Sequence, residues 1–526
     1  MKILVSDNLS VKGIEILQQA KGFTVEVKTG MTPDELKSAI KGVEGLVIRS
    51  ATKVTADIIE AADQLKVIGR AGIGLDNVDI PAASQKGIVV MNTPEGNTIT
   101  TAEHTISLML SLTRKIPQAT ASLKALKWEK KKFQGREVFN KTLGVIGMGR
   151  IGSIVADRAK GLHMQVIGFD PHLKPEVIRE TGVEPVDLDT LLARADYITI
   201  HTPRTKDTYH LLNKEAFQKM RDGVFIVNCA RGGIVDEEAL YEAITSGKVA
   251  GAALDVFEKE PPGEHPLLTL DQVVCTPHLG ASTTEAQENV AIAVAEQMID
   301  YLAYGIIRNA VNVPSLSEEN LERVRPYLVM AERMGSFHTQ MLQEPILEVN
   351  LEFQGDAALM ETAPITVATL KGLLTPILKD DVNYVNAPII AKERGIRVTE
   401  TKSETAEDFT NLITLRVKTG GGENILSGTI FGKREPRIVR LNTFWLEAIP
   451  EGHLLLIQNA DSPGVIGSIG TTIGSFNINI ERMQVGQEKE KGHNIILLTT
   501  NISLPDNVLK ALRGLPHVVS AIKLEL

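Results

Sequence analysis

Three side chains in the middle of the chain have the types that acid/base chemistry on a charged substrate needs. His278 lies in CTPHLGAS, Glu260 in DVFEKEPP and Arg231 in NCARGG. An imidazole exchanges a proton near neutral pH, a carboxylate bonded to it raises its pKa, and a guanidinium holds a carboxylate through two hydrogen bonds. Each residue alone has an ordinary structural explanation. Because each follows a strand-like run and parallel strands end at one edge of a sheet, we expect the three to form one site there.

A glycine-rich turn, GMGRIG, lies upstream between an apolar run and a helical pattern. Gly147 allows a sharp exit from a strand, Gly149 lets backbone N–H groups approach a pyrophosphate, and Gly152 lets the helix pack closely. The helix N-terminus offers unpaired donors and partial positive charge to an anion. Such a turn can serve only to reverse the chain, but the flanking strands favour a dinucleotide site.

Asp170 ends the next apolar run, 166–169. An acidic residue at this distance from the glycines accepts from a ribose 2′-hydroxyl and repels a 2′-phosphate. The sequence therefore predicts NAD rather than NADP as the cofactor.

Length and composition set the limits of the architecture. The 526 residues predict about three or four domains, and 56 basic against 65 acidic residues give a net charge of -9, which argues against non-specific nucleic-acid binding. Two cysteines imply no disulfide framework, no zinc-type pattern is present, and no stretch reaches the about eighteen apolar residues of a membrane span. We expect a cytoplasmic protein with neither a nucleic-acid nor a membrane partner.

Strand-like runs alternate with helical patterns over residues 2–98 and again over 142–282, which predicts two parallel sheets. A long helical pattern, 98–126, separates them and is interrupted at Pro117. Its apolar residues Leu108, Met109 and Leu112 are expected either in a core of their own domain or against a second subunit. A helix after residue 282 is expected to return to the first sheet.

Two smaller units complete the chain. Residues 321–450 combine helices with paired strands, after a polar boundary at 315–320. Residues 453–526 follow the order strand, helix, strand, charged turn, strand, helix, strand, which is typical of a ferredoxin-like βαββαβ fold.

Several runs together closely resemble the D-isomer-specific 2-hydroxyacid dehydrogenases: GRAGIGLDNVD, GMGRIG, HTP, NCARGGIVDE, ALDVFEKEPP and TPHLGAST. The resemblance implies an α/β protein with two doubly wound parallel-sheet domains, in which a Rossmann-type NAD-binding domain (99–285) is inserted in a flavodoxin-like substrate-binding domain (1–98 and 286–313). An α+β intervening domain resembling an allosteric substrate-binding domain (317–450) and an ACT regulatory domain (453–526) follow.

The resemblance also implies roles for single residues. Arg231, Glu260 and His278 match the catalytic residues of the family. The cofactor-binding residues that it implies are Gly147, Gly149, Arg150, Ile151, Gly152, Asp170, Thr202, Cys229, Ala230, Arg231, Asp255, His278, Leu279, Gly280 and Ala281.

The substrate implied by the resemblance is 3-phosphoglycerate, oxidised to 3-phosphohydroxypyruvate at the entry to serine synthesis. Its carboxylate and phosphate need more cations than Arg231. Arg49 and Arg70, each at the end of a first-domain strand, match substrate-binding positions. Lys130 lies in a segment that resembles one reaching the neighbouring subunit's cleft, where some relatives carry Arg, and the family leads us to expect a homotetramer.

The turn NADSPG and the following NIN resemble the amino-acid-binding turn and strand of ACT domains. Asp461 is expected to accept from an effector ammonium, and Asn459, Asn479 and helix N-terminal amides to complete the site. L-serine is the effector that the resemblance implies. The alternative is that Asp461 and Pro463 only begin the helix.

Two other functions stay open on the sequence alone. The first is a dehydrogenase of the same superfamily acting on glyoxylate or another 2-hydroxy acid, against which the C-terminal extension and the first-domain arginines argue. The second is a non-catalytic NAD(H)-sensing corepressor, against which the sensor-like C-terminal unit and the absence of a disordered tail argue.

Overall fold

Three β-sheets organise the chain. The structure is a computed structural model that describes residues 1–314, 318–342, 344–406, 408–432, 434–487 and 492–526. The start of the expected intervening domain, Ser317, and the charged turn at 488–491 lie outside the described residues.

The first sheet is parallel, with strand order β2-β1-β3-β4-β5. Its strands are β1 (Lys2–Val5), β2 (Thr24–Val27), β3 (Gly45–Ile48), β4 (Val67–Arg70) and β5 (Val89–Met91), and its helices are α1 (Val11–Gln19), α2 (Pro33–Ala39), α3 (Ala56–Ala61) and α4 (Ile80–Gln85). The central strand β3 is buried throughout, as expected for a sheet covered by helices on both faces.

Two helices, α5 (Thr98–Arg114) and α6 (Ile116–Lys124), lead to the second sheet. They break at Lys115, which adopts a left-handed conformation with φ 55°, two residues before the interruption expected at Pro117. Leu108, Met109 and Leu112 are buried in the core of the second sheet. Of the two packing alternatives for this apolar face, the core is therefore confirmed, and the second-subunit contact is wrong.

The second sheet has seven parallel strands in the order β12-β11-β10-β9-β6-β7-β8. The strands are β6 (Thr142–Ile146), β7 (Gln165–Phe169), β8 (Glu184–Pro185), β9 (Tyr197–Ile200), β10 (Val224–Asn228), β11 (Val249–Leu254) and β12 (Val273–Cys275); the helices are α7 (Arg150–Gly161), α8 (Pro175–Glu180), α9 (Leu188–Arg194), α10 (Lys214–Lys219) and α11 (Glu237–Thr245), with a 3₁₀ turn at Pro266–Thr269. The order reverses between β6 and β9, and this switch point is where open parallel sheets bind ligands. The predicted pair of doubly wound sheets is confirmed.

Helix α12 (Thr284–Tyr304) carries the chain back from the second sheet to the first. Val290, Ala291 and Val294 pack in the same core as Ile3 and Val5 of β1. The connections between the two sheets thus run through α5 on one side and α12 on the other.

The C-terminal third forms one mixed sheet of ten strands in the order β14-β13-β15-β16-β17-β18-β20-β21-β19-β22. The strands are β13 (Glu348–Gly355), β14 (Arg397–Ser403), β15 (Asn411–Thr419), β16 (Gly422–Phe431), β17 (Glu435–Leu441), β18 (Phe444–Ala448), β19 (His453–Ala460), β20 (Ile480–Gln487), β21 (His493–Thr500) and β22 (Val518–Glu525); the helices are α13 (Glu318–Met341), α14 (Ala363–Leu378), α15 (Ala387–Glu393), α16 (Val465–Ser475) and α17 (Asp506–Arg513), with 3₁₀ turns at Asp356–Leu359 and Lys379–Asp381.

The last four strands have the expected ferredoxin-like order, but they are not a separate sheet. A bridge between Trp445 of β18 and Gln487 of β20 joins them to the preceding strands. Leu454 and Leu456 of β19 also pack in the core of the preceding unit, while Leu455 and Ile457 face the helices α16 and α17. A strand buried on both faces reads as a continuous apolar run, as residues 454–457 do, but such a run does not identify the unit against which the second face packs.

Within the described residues, no helix is both long enough and apolar enough to cross a bilayer. The same part of the chain contains no cluster of three His, Cys, Asp or Glu side chains that could hold a metal ion.

Candidate active site

His278 and Glu260 form a hydrogen-bonded pair at the carboxyl edge of the second sheet. The Nδ1–H of His278 donates to Oε2 of Glu260 at 2.7 Å, and the second carboxylate oxygen accepts from the backbone N–H of Phe257 at 3.2 Å. This bond raises the pKa of His278. Burial alone would raise the pKa of Glu260, but the hydrogen bond and the charge of His278 outweigh it and lower that pKa. The pair favours imidazolium beside carboxylate and leaves Nε2 to exchange a proton.

The loop that carries His278 is held by a buried carboxylate. Asp255 is 1% exposed, and its side chain accepts from the backbone N–H groups of Leu279 at 2.7 Å and Gly280 at 2.8 Å. His278 adopts a left-handed conformation with φ 56°. A histidine in that conformation is uncommon and needs support from its surroundings, which these bonds supply.

Two further side chains tie this loop to neighbouring elements. His104 on α5 lies with Nε2 at 3.2 Å from Oδ1 of Asp255 and 3.1 Å from Oγ1 of Thr276. Thr276 donates to the same Asp255 oxygen at 2.6 Å. The hydrogen bonds of this group outweigh burial and lower the pKa of Asp255, so it stays ionised.

Arg231 lies on the turn that follows β10. Asn228 fixes this turn, because its side chain accepts from the backbone N–H of Ala230 at 3.0 Å and donates to the carbonyl of Arg231 at 2.9 Å. The Arg231 guanidinium donates through Nε to Asp76 of the first sheet's loops at 3.1 Å. It therefore spans the cleft between the two sheets.

Arg49, directly after β3, and Arg70, the last residue of β4, lie on the opposite wall of this cleft. Nη1 of Arg49 donates to the carbonyl of Asn8 at 3.0 Å. Burial and then repulsion by Arg231 lower the pKa of Arg70 to about 10. Its Nε is buried and has no hydrogen-bond partner in the described part of the chain. Crowded, desolvated guanidinium groups of this kind favour an anionic ligand.

The glycine turn fits a pyrophosphate. Gly147 has φ 92°, and a methyl group there would lie 2.8 Å from Cγ2 of Thr202, which follows β9. A methyl group at Gly149 would meet open space, and one at Gly152 would overlap the carbonyl of Gly147. Helix α7 starts at Arg150 and Ile151 with Gly149 as its N-cap, without a side-chain cap. The free helix terminus thus opens at the switch point beside Thr202, whose Oγ1 is buried and without a partner in the described residues.

Asp170 and Cys229 have contrasting surroundings. The Asp170 carboxylate accepts from the backbone N–H groups of Met148 at 3.0 Å and His172 at 2.9 Å, next to the glycine turn. Cys229 is 5% exposed, and burial raises the pKa of its thiol to about 12, so it stays protonated. Ala281 continues the loop of Leu279 and Gly280 towards α12.

Lys130 lies in the exposed segment after α6, outside the loops and strand ends that carry Arg49, Arg70 and Arg231.

Of the predicted effector residues, Asn459 and Asp461 lie near the start of α16, whereas Asn479 follows its C-terminal end and lies at the opposite end of β21, so this chain does not bring the three together. Asn459 is 2% exposed, and its Oδ1 has no partner within the described part of the chain. Asp461 accepts from Nδ2 of Asn494 at 2.8 Å, and the backbone N–H of Asn479 donates to Asn501 at 3.0 Å. Helix α16 begins after Gly464 without a side-chain cap, so Asp461 does not serve as its cap.

Sequence reasoning missed Asp76, His104 and Asn97. Asp76 and His104 contact partners that lie 155 and 151 residues away in the sequence, and no local sequence pattern predicts such contacts. Asn97 is the N-cap of α5, and its buried Oδ1 has no partner in the described residues. Its position directly before a helix was the one available signal.

Comparison with protein families and curated relatives covers almost the whole chain. Residues 106–280 match the NAD-binding domain of the D-isomer specific 2-hydroxyacid dehydrogenases, 323–442 the D-3-phosphoglycerate dehydrogenase intervening domain, and 453–517 the ACT domain. The D-3-phosphoglycerate dehydrogenase of Archaeoglobus fulgidus is 48% identical over 100% of both chains. That of Methanocaldococcus jannaschii is 46% identical over 98% of both.

Solved structures match the first two sheets. A Thermus thermophilus protein aligns with a TM-score of 0.55 and 36% identity over 59% of this chain and 100% of its own. A D-lactate dehydrogenase from Aquifex aeolicus, complexed with NAD and lactic acid, aligns with a TM-score of 0.53 and 30% identity over 60% of this chain and 100% of its own. The chain therefore belongs to the D-3-phosphoglycerate dehydrogenases, NAD-binding enzymes of the D-isomer-specific 2-hydroxyacid dehydrogenase family.

Proposed function

We propose that this chain oxidises 3-phospho-D-glycerate to 3-phosphohydroxypyruvate with NAD, the first step of L-serine biosynthesis. The observation that carries the proposal is the His278–Glu260 pair, 2.7 Å apart, at a cleft that Arg231 spans and that Arg49 and Arg70 line. An acid/base pair beside several cations suits a hydroxy acid that carries more than one negative charge.

In this proposal His278 takes the proton of the substrate's 2-hydroxyl through Nε2. Glu260 holds Nδ1–H, so it fixes the tautomer and stabilises the imidazolium that forms. In the reverse direction the same imidazolium returns the proton to the carbonyl oxygen. Asp255 and His104 keep the loop of His278 in place during both directions.

Arg231 binds the substrate carboxylate and orients C2. Arg49 and Arg70 bind the phosphate, and Lys130 of a neighbouring subunit adds a further cation. Bound NAD would supply the acceptor for the hydride that leaves C2. The residues proposed to hold it are Gly147, Gly149, Arg150, Ile151, Gly152, Asp170, Thr202, Cys229, Ala230, Arg231, Asp255, His278, Leu279, Gly280 and Ala281.

In this proposal each of four domains has its own role. Residues 1–98 and 286–313 bind substrate, 99–285 bind NAD, 317–450 form the intervening domain, and 453–526 form the regulatory ACT domain. The packing of α12 against β1 supports the discontinuous first domain.

A homo-oligomer, expected to be a tetramer, is part of the proposal. Helix α6 has no buried residue, and Leu126 and Trp128 after it are 94% and 83% exposed. Apolar side chains exposed in one continuous region favour coverage by a second subunit.

L-serine is the proposed effector of the C-terminal unit. The uncapped start of α16 offers N–H groups to a carboxylate, and Asp461 offers a partner for the ammonium. Isothermal titration calorimetry with L-serine tests this assignment. We expect Asp461→Ala to bind L-serine more weakly than the unchanged protein does.

The variant His278→Ala tests the proposed mechanism. Removing the imidazole should lower turnover by at least about a hundredfold, the contribution typical of a general acid/base. NADH affinity should stay close to that of the unchanged protein, because His278 is proposed to border the cofactor through its backbone. Steady-state rates and NADH fluorescence titration measure the two quantities. A large loss of NADH binding with turnover per bound cofactor unchanged would contradict the acid/base role.

A further inference from the structure

The acidic residue that contacts Arg231 comes from the opposite wall of the cleft. Nε of Arg231 donates to Oδ2 of Asp76 at 3.1 Å, and Nη1 donates to the carbonyl of Ala230 at 2.7 Å. The Nε–H points to the same side of the planar guanidinium as Nη2, so Asp76 lies on that side, while Ala230 binds Nη1. Nη2 makes no hydrogen bond within the described residues and is left for a ligand.

Gly74 forms the surface on which this guanidinium rests. A methyl group at Gly74 would overlap Nη2 of Arg231 and would lie 3.1 Å from Oδ2 of Asp76. Only a residue without a side chain therefore lets Arg231 and Asp76 meet in this geometry. Gly74 does not have a positive φ, so the close approach, and not the backbone conformation, requires glycine here.

The loop that carries Asp76 is itself anchored. The side chain of Asn77 donates to the carbonyls of Arg49 at 2.7 Å and Thr52 at 2.6 Å. Nδ2 of Asn92 donates to the carbonyl of Ile73 at 2.7 Å. The backbone on either side of Asp76 is thus anchored, and its carboxylate, 54% exposed, reaches Arg231 from a fixed loop.

We propose that Asp76 is a positioning residue for Arg231. It binds Nε from across the cleft and so holds the guanidinium in the orientation in which Nη2 is available to the substrate carboxylate, with Gly74 as the surface below. A side chain held in advance loses less freedom when the substrate binds. The negative charge of Asp76 also attracts both Arg231 and Arg70, whose positive charges repel each other.

This inference rests on the proposed role of Arg231 and is tested by rates of NADH oxidation with 3-phosphohydroxypyruvate. In Asp76→Ala we expect the KM for this substrate to rise about tenfold, the loss typical of one charge-assisted hydrogen bond, with a smaller fall in kcat and no change in NADH affinity. Asp76→Asn keeps a neutral acceptor and should recover part of the loss. Gly74→Ala should raise the KM in the same direction, because the methyl group displaces the guanidinium.

The matched control is Asp57→Ala. Asp57 accepts from Lys37 at the same 3.1 Å on the exposed surface of the first sheet's helices, so its loss should leave the KM unchanged. Urea unfolding of each variant separates a loss of folding from a loss of positioning.

A lower KM in Asp76→Ala would overturn the proposal, because Asp76 would then compete with the substrate for Arg231. An unchanged KM would also overturn it. Arg231→Ala, measured in parallel, separates the two levels. If it retains full turnover, the proposed role of Arg231 fails; if it loses turnover while Asp76→Ala keeps the KM of the unchanged protein, only the positioning role fails.

Discussion

At the scale of single residues, the proposed acid/base pair of His278 and Glu260 should set the pH dependence of the reaction. Its hydrogen bond raises the pKa of His278. Reduction of the 2-oxo acid needs the imidazolium, so it should be fastest below this pKa and fall as pH rises through it. Oxidation of the hydroxy acid needs the neutral imidazole and should show the opposite dependence.

Glu260→Gln tests this assignment. The variant removes the carboxylate that raises the pKa of His278, so the fall in the reduction rate should move to lower pH, towards the ordinary range of histidine. The measurement is kcat/KM for 3-phosphohydroxypyruvate across pH, compared with that of the unchanged protein. A fall at unchanged pH would contradict the assignment of His278 as the titrating group.

Among single residues, the sequence predicted those whose type and neighbouring sequence together indicate a place in the site. Arg231, Glu260 and His278 each stand in a loop directly after a strand, and the rule for parallel sheets places such loops together. Asp76 and His104 could not be predicted in the same way, because each becomes relevant only through a partner that folding brings from another element.

At the scale of secondary-structure elements, helix α13 carries a buried histidine, His338, that makes the stability of the fold sensitive to acid. His338 is 0% exposed, its Nε2 donates to the carbonyl of Leu415 at 3.3 Å, and its Nδ1 has no partner in the described residues. Burial lowers the pKa of His338 to about 4 from 6.5. Because the unfolded chain takes up the proton first, stability should fall as pH drops from 6.5 towards 4.

His338→Met should remove this part of the acid sensitivity. The expected contribution is about 2 kcal/mol between neutral pH and about pH 5. Urea-unfolding midpoints of the full chain at these two pH values measure it, and the variant should lose less stability on acidification. An identical loss in both proteins would show that His338 is not responsible.

Element boundaries were predictable where a turn residue or strong alternation marks them. The parallel strands of the first two sheets follow from apolar runs and glycines. The break after α5 was not predicted at Lys115, since a left-handed lysine has no local signal, whereas Pro117 does. The exposed edge strand β14 was also missed, because its residues show little burial and hence little apolar pattern.

The molecule as a whole is organised around the cleft between the first two sheets and the junction of the last two units. The β18–β20 bridge makes the intervening and ACT units one sheet, so the turn proposed to bind an effector and β18 belong to the same set of paired strands. The sequence could not show this junction, because a single bridge between distant strands leaves no periodic pattern.

Trp128→Glu tests the proposed oligomer. A charge at this exposed aromatic position should prevent coverage by a second subunit, which should lower the mass in light scattering and reduce turnover by withdrawing the partner's Lys130. Tyr304→Glu is the control, since Tyr304 is 72% exposed at the end of α12. An unchanged mass for Trp128→Glu would place the subunit contact elsewhere.

The most direct test of the central claim is the rate of NADH oxidation on addition of 3-phosphohydroxypyruvate, compared with glyoxylate under the same conditions. We predict rapid oxidation with the phosphorylated acid and little with glyoxylate, because Arg49 and Arg70 have a phosphate to bind only in the first case. Oxidation with glyoxylate alone would contradict the account and return both arginines to structural roles.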